Sequence, residues 1–261
     1  MGKKHEEENM KNRYSSRYKR SHAQTLEQAT KWDSNYDWDI SVPQWKRDIA
    51  KVCGPYTVTE LDSVLNLIDS VEEIILNNIP GDLVECGVYM GGSSMVMAQV
   101  CEHYGSLRKI LMFDTYNGVP APDDHETFND GTLISDWLIT HEYDIDAEGS
   151  NWCYSNIAHV KENVSIVNYS GDIEFVVGLV EDTLPMDQLN SIALLRIDVD
   201  LESPTRHVLN HLYPVLNSGG ILILDDYGHF PMVRKTVDDY FAPEVIKYNE
   251  VTYTVRQCVK S

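Results

Sequence analysis

Two sets of residues in this chain have the types and spacing that chemistry requires. The first runs Leu83-Val84-Glu85-Cys86, an apolar stretch holding one acid, into the turn Gly87-Val88-Tyr89-Met90-Gly91-Gly92, and a second apolar stretch from Lys109 closes on Asp114. Read as two strands that lie side by side, as consecutive strands in such chains usually do, they build a crevice the size of a nucleoside. Gly87, Gly91 and Gly92 let backbone approach a ligand closely, Ser93 stands at the expected helix start, and Asp114 is placed to accept hydrogen bonds from two ribose hydroxyls. The spacing departs from the GxGxxG fingerprint of dinucleotide sites. Glu85 would repel a pyrophosphate, whereas S-adenosylmethionine carries a sulfonium and an ammonium and no phosphate, so an acidic wall favours it.

The second set consists of acids at the ends of two further apolar runs, Arg196-Ile197-Asp198-Val199-Asp200 and Leu224-Asp225-Asp226-Tyr227. If the two strands are neighbours, Asp198, Asp225 and Asp226 converge beside the crevice. Carboxylates crowded in this way must hold protons or a cation. An all-oxygen set suits magnesium, with manganese or calcium as alternatives. A purely structural reading has Asp225 capping a turn, Asp200 capping the helix near Pro204 and Asp198 paired with Arg196.

These sets need a scaffold that brings strand ends together, and the periodicity supplies one. Apolar residues at helical spacing predict a helix over 59–79, ended by Pro80 and Gly81. Ser93 or Ser94 is expected to cap a helix through about Tyr104. Continuous apolar runs at Ile192–Ile197 and Ile221–Leu224 mark central parallel strands, with Gly219-Gly220 as the turn before the second. Helices are expected over 156–168, 204–216 and 231–241, and a strand over 173–177. Two closing antiparallel strands are expected at 245–248 and 251–255. The acidic stretch 123–150 reads as a long loop with a little helix near Trp137, a candidate lid. The predicted fold is α/β, a Rossmann-like doubly wound, mostly parallel sheet with a C-terminal antiparallel hairpin, and its ligands should sit at the C-terminal strand ends. Residues 56–261 form the expected domain. Residues 1–55 form an expected arm, partly disordered, whose Trp32, Tyr36, Trp38 and Trp45 pack on the body or on a second subunit.

Composition narrows the partners. A formal charge of −20 repels a phosphate backbone, so nucleic acid is not expected, and the basic residues among the first twenty read as a solvated tail. No apolar run reaches the roughly 18 residues a membrane span needs, and no secretory pattern opens the chain. A cytoplasmic location, without membrane contact, is the expectation. Five scattered cysteines without CxxC spacing argue against a disulfide framework or structural zinc.

Several blocks taken in order carry a resemblance. Gly81-Asp82-Leu83-Val84-Glu85-Cys86-Gly87-Val88-Tyr89-Met90-Gly91-Gly92, Phe113-Asp114-Thr115-Tyr116-Asn117-Gly118-Val119-Pro120, Gly178-Leu179-Val180-Glu181-Asp182-Thr183-Leu184-Pro185, Leu195-Arg196-Ile197-Asp198-Val199-Asp200 and Asp225-Asp226-Tyr227-Gly228 together resemble the macrocin O-methyltransferase (TylF-type) family. The resemblance covers about Tyr56 to Phe241. It implies a class I methyltransferase that uses S-adenosylmethionine and Mg2+ to methylate a hydroxyl on a sugar or other diol-bearing natural product. It further implies Asp198, Asp225 and Asp226 as metal ligands, Asp200 as general base, Glu85 and Asp114 at the cofactor, and Glu181 with Asp182 near the adenine or a supporting turn. The chain departs from the family after Asp200, reading Leu201-Glu202-Ser203-Pro204-Thr205 where an aromatic and Tyr-Glu-Ser-Thr are common, and this stretch borders the expected acceptor pocket.

The expected partner is therefore a small glycosylated or polyhydroxylated molecule, and the aromatic arm makes a homo-oligomer the expected assembly. His125, His141 and His229 are further candidates for proton transfer or substrate contact. Two other classes remain: a glycosyltransferase using Asp198-Val199-Asp200 as a metal-binding DxD, and a non-catalytic cofactor-binding module.

Overall fold

The computed structural model describes residues 38–39, 41–146, 149–242 and 246–261. The expectations for the basic N-terminal segment, for Trp32 and Tyr36 and for the first residue of the 245–248 strand lie outside them. The strands are β1 Asp82–Cys86, β2 Ile110–Asp114, β3 Ile145–Asp146, β4 Gly149–Ser150, β5 Ile173–Val177, β6 Ile192–Ile197, β7 Leu216–Leu224, β8 Asn249–Glu250 and β9 Arg256–Val259. The helices are α1 Gln44–Cys53, α2 Leu61–Leu76, α3 Gly92–His103, α4 Ile134–Thr140, α5 Ile157–Val164, α6 Val180–Thr183, α7 Glu202–Leu212 and α8 Pro231–Phe241.

Seven strands form one sheet in the order β5-β2-β1-β6-β7-β9-β8, parallel except where β9 runs against β7 and β8. β1, β6 and the second half of β7 are buried on both faces, which is why their sequences read as unbroken apolar runs. Helices α1, α2 and α3 cover one face, and α7 and α8 lie together on the other. The apolar stripe of α2, with Val64, Ile68, Val71 and Ile74, is almost fully withdrawn from water. Each such side chain contributes about 1.5–3 kcal/mol. The order reverses between β1 and β6, so the first strand's two neighbours send their connections to opposite sides and a crevice opens at the carboxyl ends.

Part of the expected arm packs on this body. In α1, Ile49, Ala50 and Cys53 are buried, Trp45 stacks on His103 with ring centroids 4.2 Å apart, and Lys46 pairs with Asp69 at 2.6 Å and with Glu72. Trp38 packs against the same core.

Three local expectations are corrected. Neither Ser93 nor Ser94 caps α3: Gly91 occupies the N-cap in the left-handed region at φ 95°, and the Ser94 hydroxyl turns inward to Glu85. Gly219 and Gly220 lie within β7 rather than in a turn before it. The strand starts at Leu216 opposite Ile192, and the register shifts before Ile221 meets Leu194, so the glycines occupy a bulge. The closing hairpin is displaced: its strands are Asn249–Glu250 and Arg256–Val259, while 251–254 form the connection. That connection is held where Gly228 donates its N–H to the Thr254 carbonyl at 2.9 Å and Val251 donates to Val255 at 3.1 Å. Tertiary contacts there override the alternation.

One glycine ties the first strand to the fourth parallel strand. Gly87 has φ 85°, and a Cβ placed on it would stand 1.6 Å from the Asp198 carbonyl oxygen. Gly87→Ala is expected to lower stability by at least about 2 kcal/mol in urea denaturation. Gly105→Ala, at φ 65° with open space around it, should cost about 1 kcal/mol. Equal costs at the two positions would mean that close packing at Gly87 contributes nothing.

Candidate active site

The crevice at the β1–β6 reversal deepens into a cavity of about 810 Å³. That volume lies in the range of small-molecule sites. The Asp198 N–H donates to the Cys86 carbonyl at 2.8 Å and the Gly87 N–H to Phe113 at 2.8 Å, so the carboxyl ends of β2, β1 and β6 are locked at one level. Of the residues expected at the cofactor, Glu85, Gly87, Ser93, Asp114 and Glu181 line the cavity, while Gly91 and Asp182 do not.

Asp114 is already committed to backbone. One oxygen accepts from the N–H groups of Val88 at 2.6 Å and Tyr89 at 3.1 Å, and the other from Tyr116 at 2.6 Å. It therefore pins the glycine turn to the end of β2, a task its sequence position does not reveal. Burial raises its pKa, and the three N–H donors pull it back down. Glu181 accepts from the Ser203 hydroxyl at 2.9 Å, joining α6 to the start of α7.

The acids at the ends of β6 and β7 converge as adjacency requires. Carboxylate oxygens of Asp198, Asp200 and Asp226 all lie within 4.8 Å of one another. Asp225, which was expected in that group, has one oxygen 2.7 Å from Arg196, with the Thr59 hydroxyl 3.5 Å from the same atom. Arg196 is the residue that sequence reasoning underrated. Its guanidinium is almost fully buried and donates to Glu85 at 3.0 Å and Asp198 at 2.6 Å as well as to Asp225. It thus links β1 to the acids that follow β6 and β7. Asp200 stands in the left-handed region at φ 62°, and its N–H donates to Asp226 at 3.0 Å, which holds that turn.

One guanidinium does not balance these charges. Burial pushes the Glu85 carboxyl up to about 7 despite Arg196 and Ser94, and burial does the same to Asp225 against the pull of Arg196. Asp200 and Asp226 lie well above the usual carboxylate range, first through burial and then through each other's neighbours, Asp198 and Asp225 among them. The donor set is all oxygen, anionic and clustered, which fits a hard divalent cation such as magnesium.

The acidic stretch after Pro120 is organised rather than open. Glu126 is buried and accepts from the N–H groups of Asp123 at 3.0 Å and Glu202 at 2.6 Å, tying the stretch to the first turn of α7. Further along come α4 and the short β3–β4 pair, and Trp137 stacks on Tyr143 and His141. Of the three histidines considered, only His229 lines the cavity. His125 pairs with Glu202 at 2.8 Å in solvent, and His141 is exposed, its ring nitrogen 2.8 Å from the Trp137 carbonyl. Trp152 and Phe230 also face the cavity, and so does the loop Thr57–Glu60. No local pattern in the sequence marks these residues.

Comparison with known proteins follows the same lines. The family profile for macrocin-O-methyltransferase (TylF) matches residues 2–254. The chain belongs to this family. The match extends beyond the Tyr56–Phe241 span in which the motifs were recognised. Among curated relatives, the chain is 31% identical over 193 residues to a demethyldecarbamoylnovobiocin O-methyltransferase of Streptomyces niveus, covering 72% of this chain and 68% of that one. It is 30% identical over 189 residues to a mycinamicin III 3''-O-methyltransferase of Micromonospora griseorubida, covering 71% of this chain and 70% of the other. The fold is shared with the O-methyltransferase NovP, at TM-score 0.67 and 24% identity over 89% of this chain and 88% of that structure. The calicheamicin methyltransferase CalS11 follows at TM-score 0.60 and 17% identity over 91% of each. Membership makes the chain a methyltransferase and sets the DxD glycosyl-transfer reading aside. Among the described residues, no helix is long and apolar enough to cross a membrane.

The charge imbalance has a measurable consequence. Unfolded, the Glu85 and Asp225 carboxyls ionise near pH 4; folded, each holds its proton to about 7. Between those values the folded state binds more protons, so stability falls as pH rises. In metal-free buffer the ligand-free protein should lose on the order of 5 kcal/mol between pH 5 and pH 8, roughly half from each carboxyl, read by urea denaturation, and Asp225→Asn should flatten the slope. A midpoint that climbs with pH, once corrected for the same slope in Asp225→Asn, would show that Arg196 alone suffices as counter-charge.

Proposed function

We propose that the protein transfers a methyl group from S-adenosylmethionine to a hydroxyl of a sugar or other diol-bearing natural product, with the help of a divalent cation, magnesium foremost. The observation that carries this reading is the Asp198, Asp200 and Asp226 cluster, within 4.8 Å, lining the same cavity as Glu85, Gly87 and Asp114. Two further facts support it. Relatives at 30–31% identity are O-methyltransferases named for glycosylated antibiotics, and a structure of the same fold, a Podospora anserina methyltransferase at TM-score 0.50, was determined bound to S-adenosylhomocysteine.

S-Adenosylmethionine supplies an electrophilic methyl group, and the cation supplies positive charge that lowers the pKa of an alcohol beside it. The chain's own residues do the rest. Glu85 presents negative charge to the cationic end of the donor, and the turn from Gly87, pinned by Asp114, sets its depth. Asp198 and Asp226, common to the expected ligand set and the observed cluster, would hold the cation, with Asp225 oriented through Arg196. Asp200 takes the proton that the acceptor hydroxyl loses as its oxygen–carbon bond forms and the bond from the methyl carbon to sulfur breaks, with S-adenosylhomocysteine as the leaving group. The walls keep the reacting oxygen and carbon on one line, which accounts for much of the acceleration.

Asp226→Ala should remove magnesium binding and lower turnover by at least about 100-fold, while S-adenosylhomocysteine affinity stays within about twofold of the parent. Asp200→Asn should retain both ligands and lose about 100- to 10,000-fold in kcat. Calorimetry for the ligands and labelled-methyl transfer for turnover measure these outcomes. Full activity after exhaustive chelation removes the cation from the reading, and normal kcat in Asp200→Asn removes the base.

A further inference from the structure

Among the described residues, ten carboxylates and neither a lysine nor an arginine line the cavity. Almost fully buried outside that lining, Arg196 bonds to three of the ten. The pleat explains its reach. Glu85 lies opposite Arg196 across β1 and β6, and Asp198 follows Arg196 by two residues. Asp225 follows by two residues the Ile223 that lies opposite Arg196 on β7. A period of two puts all four side chains on one face of the sheet. The ladder continues past the strand ends, with the Asp198 N–H on the Cys86 carbonyl at 2.8 Å and the Asp225 N–H on Ile197 at 3.0 Å.

The guanidinium serves the three acids unequally. Nη1 donates to Asp198 Oδ2 at 2.6 Å and to Glu85 Oε1 at 3.0 Å, and Nη2 donates to Asp225 Oδ1 at 2.7 Å. Glu85 therefore accepts the longest of the three bonds, and the Ser94 hydroxyl is its other side-chain donor. One charge divided among three carboxylates does not divide in a fixed way. Positive charge that arrives at one of them weakens its hold on the guanidinium, and the fork closes on the other two. Arginine suits this because its five N–H donors lie in one rigid plane, whereas a lysine ammonium is a point charge on a flexible stem.

We infer that Arg196 couples the two ends of the site, so that a divalent cation at the aspartates weakens the binding of S-adenosylmethionine, and the reverse. This rests on the function proposed above and adds a regulation to it. The direction follows from the unequal bonds. With a cation on Asp198, Nη1 closes on Glu85, and Glu85 has less negative charge to offer the cationic end of the donor. Linkage requires the donor to weaken the cation by the same factor. S-Adenosylhomocysteine lacks the sulfonium and feels the antagonism far less. In the transfer, the acceptor oxygen bonds the methyl carbon, the carbon–sulfur bond breaks with its electron pair left on sulfur, and the hydroxyl proton goes to Asp200. The sulfonium charge disappears in that step, so an antagonism present with the substrate is relieved as the product forms, which favours the transfer. Arg196 acts through Glu85, Asp198 and Asp225 and is a positioning residue.

The test uses the full chain without acceptor, at about pH 8.5, where Glu85, lifted by burial to about 7, is ionised. Calorimetry reads S-adenosylmethionine and magnesium each alone first. Failure of either to bind counts against the proposed function, and the coupling falls with it. Saturating magnesium should then weaken S-adenosylmethionine at least about fivefold, the donor should weaken magnesium equally, and S-adenosylhomocysteine should change by less than about twofold. Arg196→Lys keeps the net charge and any direct repulsion between the two ligands but loses the fork, so the factor for S-adenosylmethionine should fall below about twofold. If that variant does not fold, Asp225→Asn, which leaves the guanidinium two carboxylates instead of three, should at least halve the factor. Both ligands bound without antagonism, equal antagonism for the two sulfur compounds, or a factor unchanged in the variant overturns the inference.

Discussion

A single buried guanidinium stands among carboxylates from three adjacent strands, and the arrangement of the site depends on it. Arg196 on β6 reaches Glu85 on β1, Asp198 beyond its own strand end and Asp225 beyond β7, all within 3.0 Å. A buried ion pair gains from charge attraction only when its geometry is good, and removing one partner leaves an uncompensated charge at a cost of about 3–5 kcal/mol. Here the compensation is deliberately short by stoichiometry: one positive charge faces three negative ones, with Asp200 and Asp226 beside them. The deficit leaves the acids short of positive charge, and protons meet it when nothing else does.

The parallel register makes that convergence possible. Glu85 pairs with Arg196 across β1 and β6, and Arg196 pairs with Ile223 across β6 and β7. A slip by one residue would send each side chain to the opposite face of the sheet. Gly87 enforces the level, because only a residue without a side chain lets its Cα pass the Asp198 carbonyl. The same contact that closes the β1–β6 seam therefore also sets the height of the glycine turn relative to the acidic cluster.

Much of this was legible in the sequence because it is local. Unbroken apolar runs reported strands buried on both faces, and an acid inside or just past such a run, as at Glu85, Asp198 and Asp226, stood out against that background. What could not be read was pairwise and distant. Arg196 looked like a partner for Asp198 two residues away, and its reach to Glu85 and Asp225 exists only once three strands are in register. Glu126 was one acid among many between 123 and 150, and nothing local marked it as the buried one that fastens the stretch to α7. The closing hairpin was misplaced by a few residues for the same reason: alternation shows that a segment can be a strand, while the contact of Gly228 with Thr254 decides where the connection lies.

The spacing of Asp198 and Asp200 shows how local conformation and chemistry are joined. Two residues apart in an extended strand, side chains point to the same face but stand well separated along it. The chain instead leaves β6 after Ile197 and enters the left-handed region at Asp200, a conformation that costs a non-glycine residue on the order of 1 kcal/mol. The bond from the Asp200 N–H to Asp226 offsets that cost and uses one cluster member to fold another inward. Burial first, and the neighbouring carboxylates second, raise the proton affinity of Asp200 and Asp226.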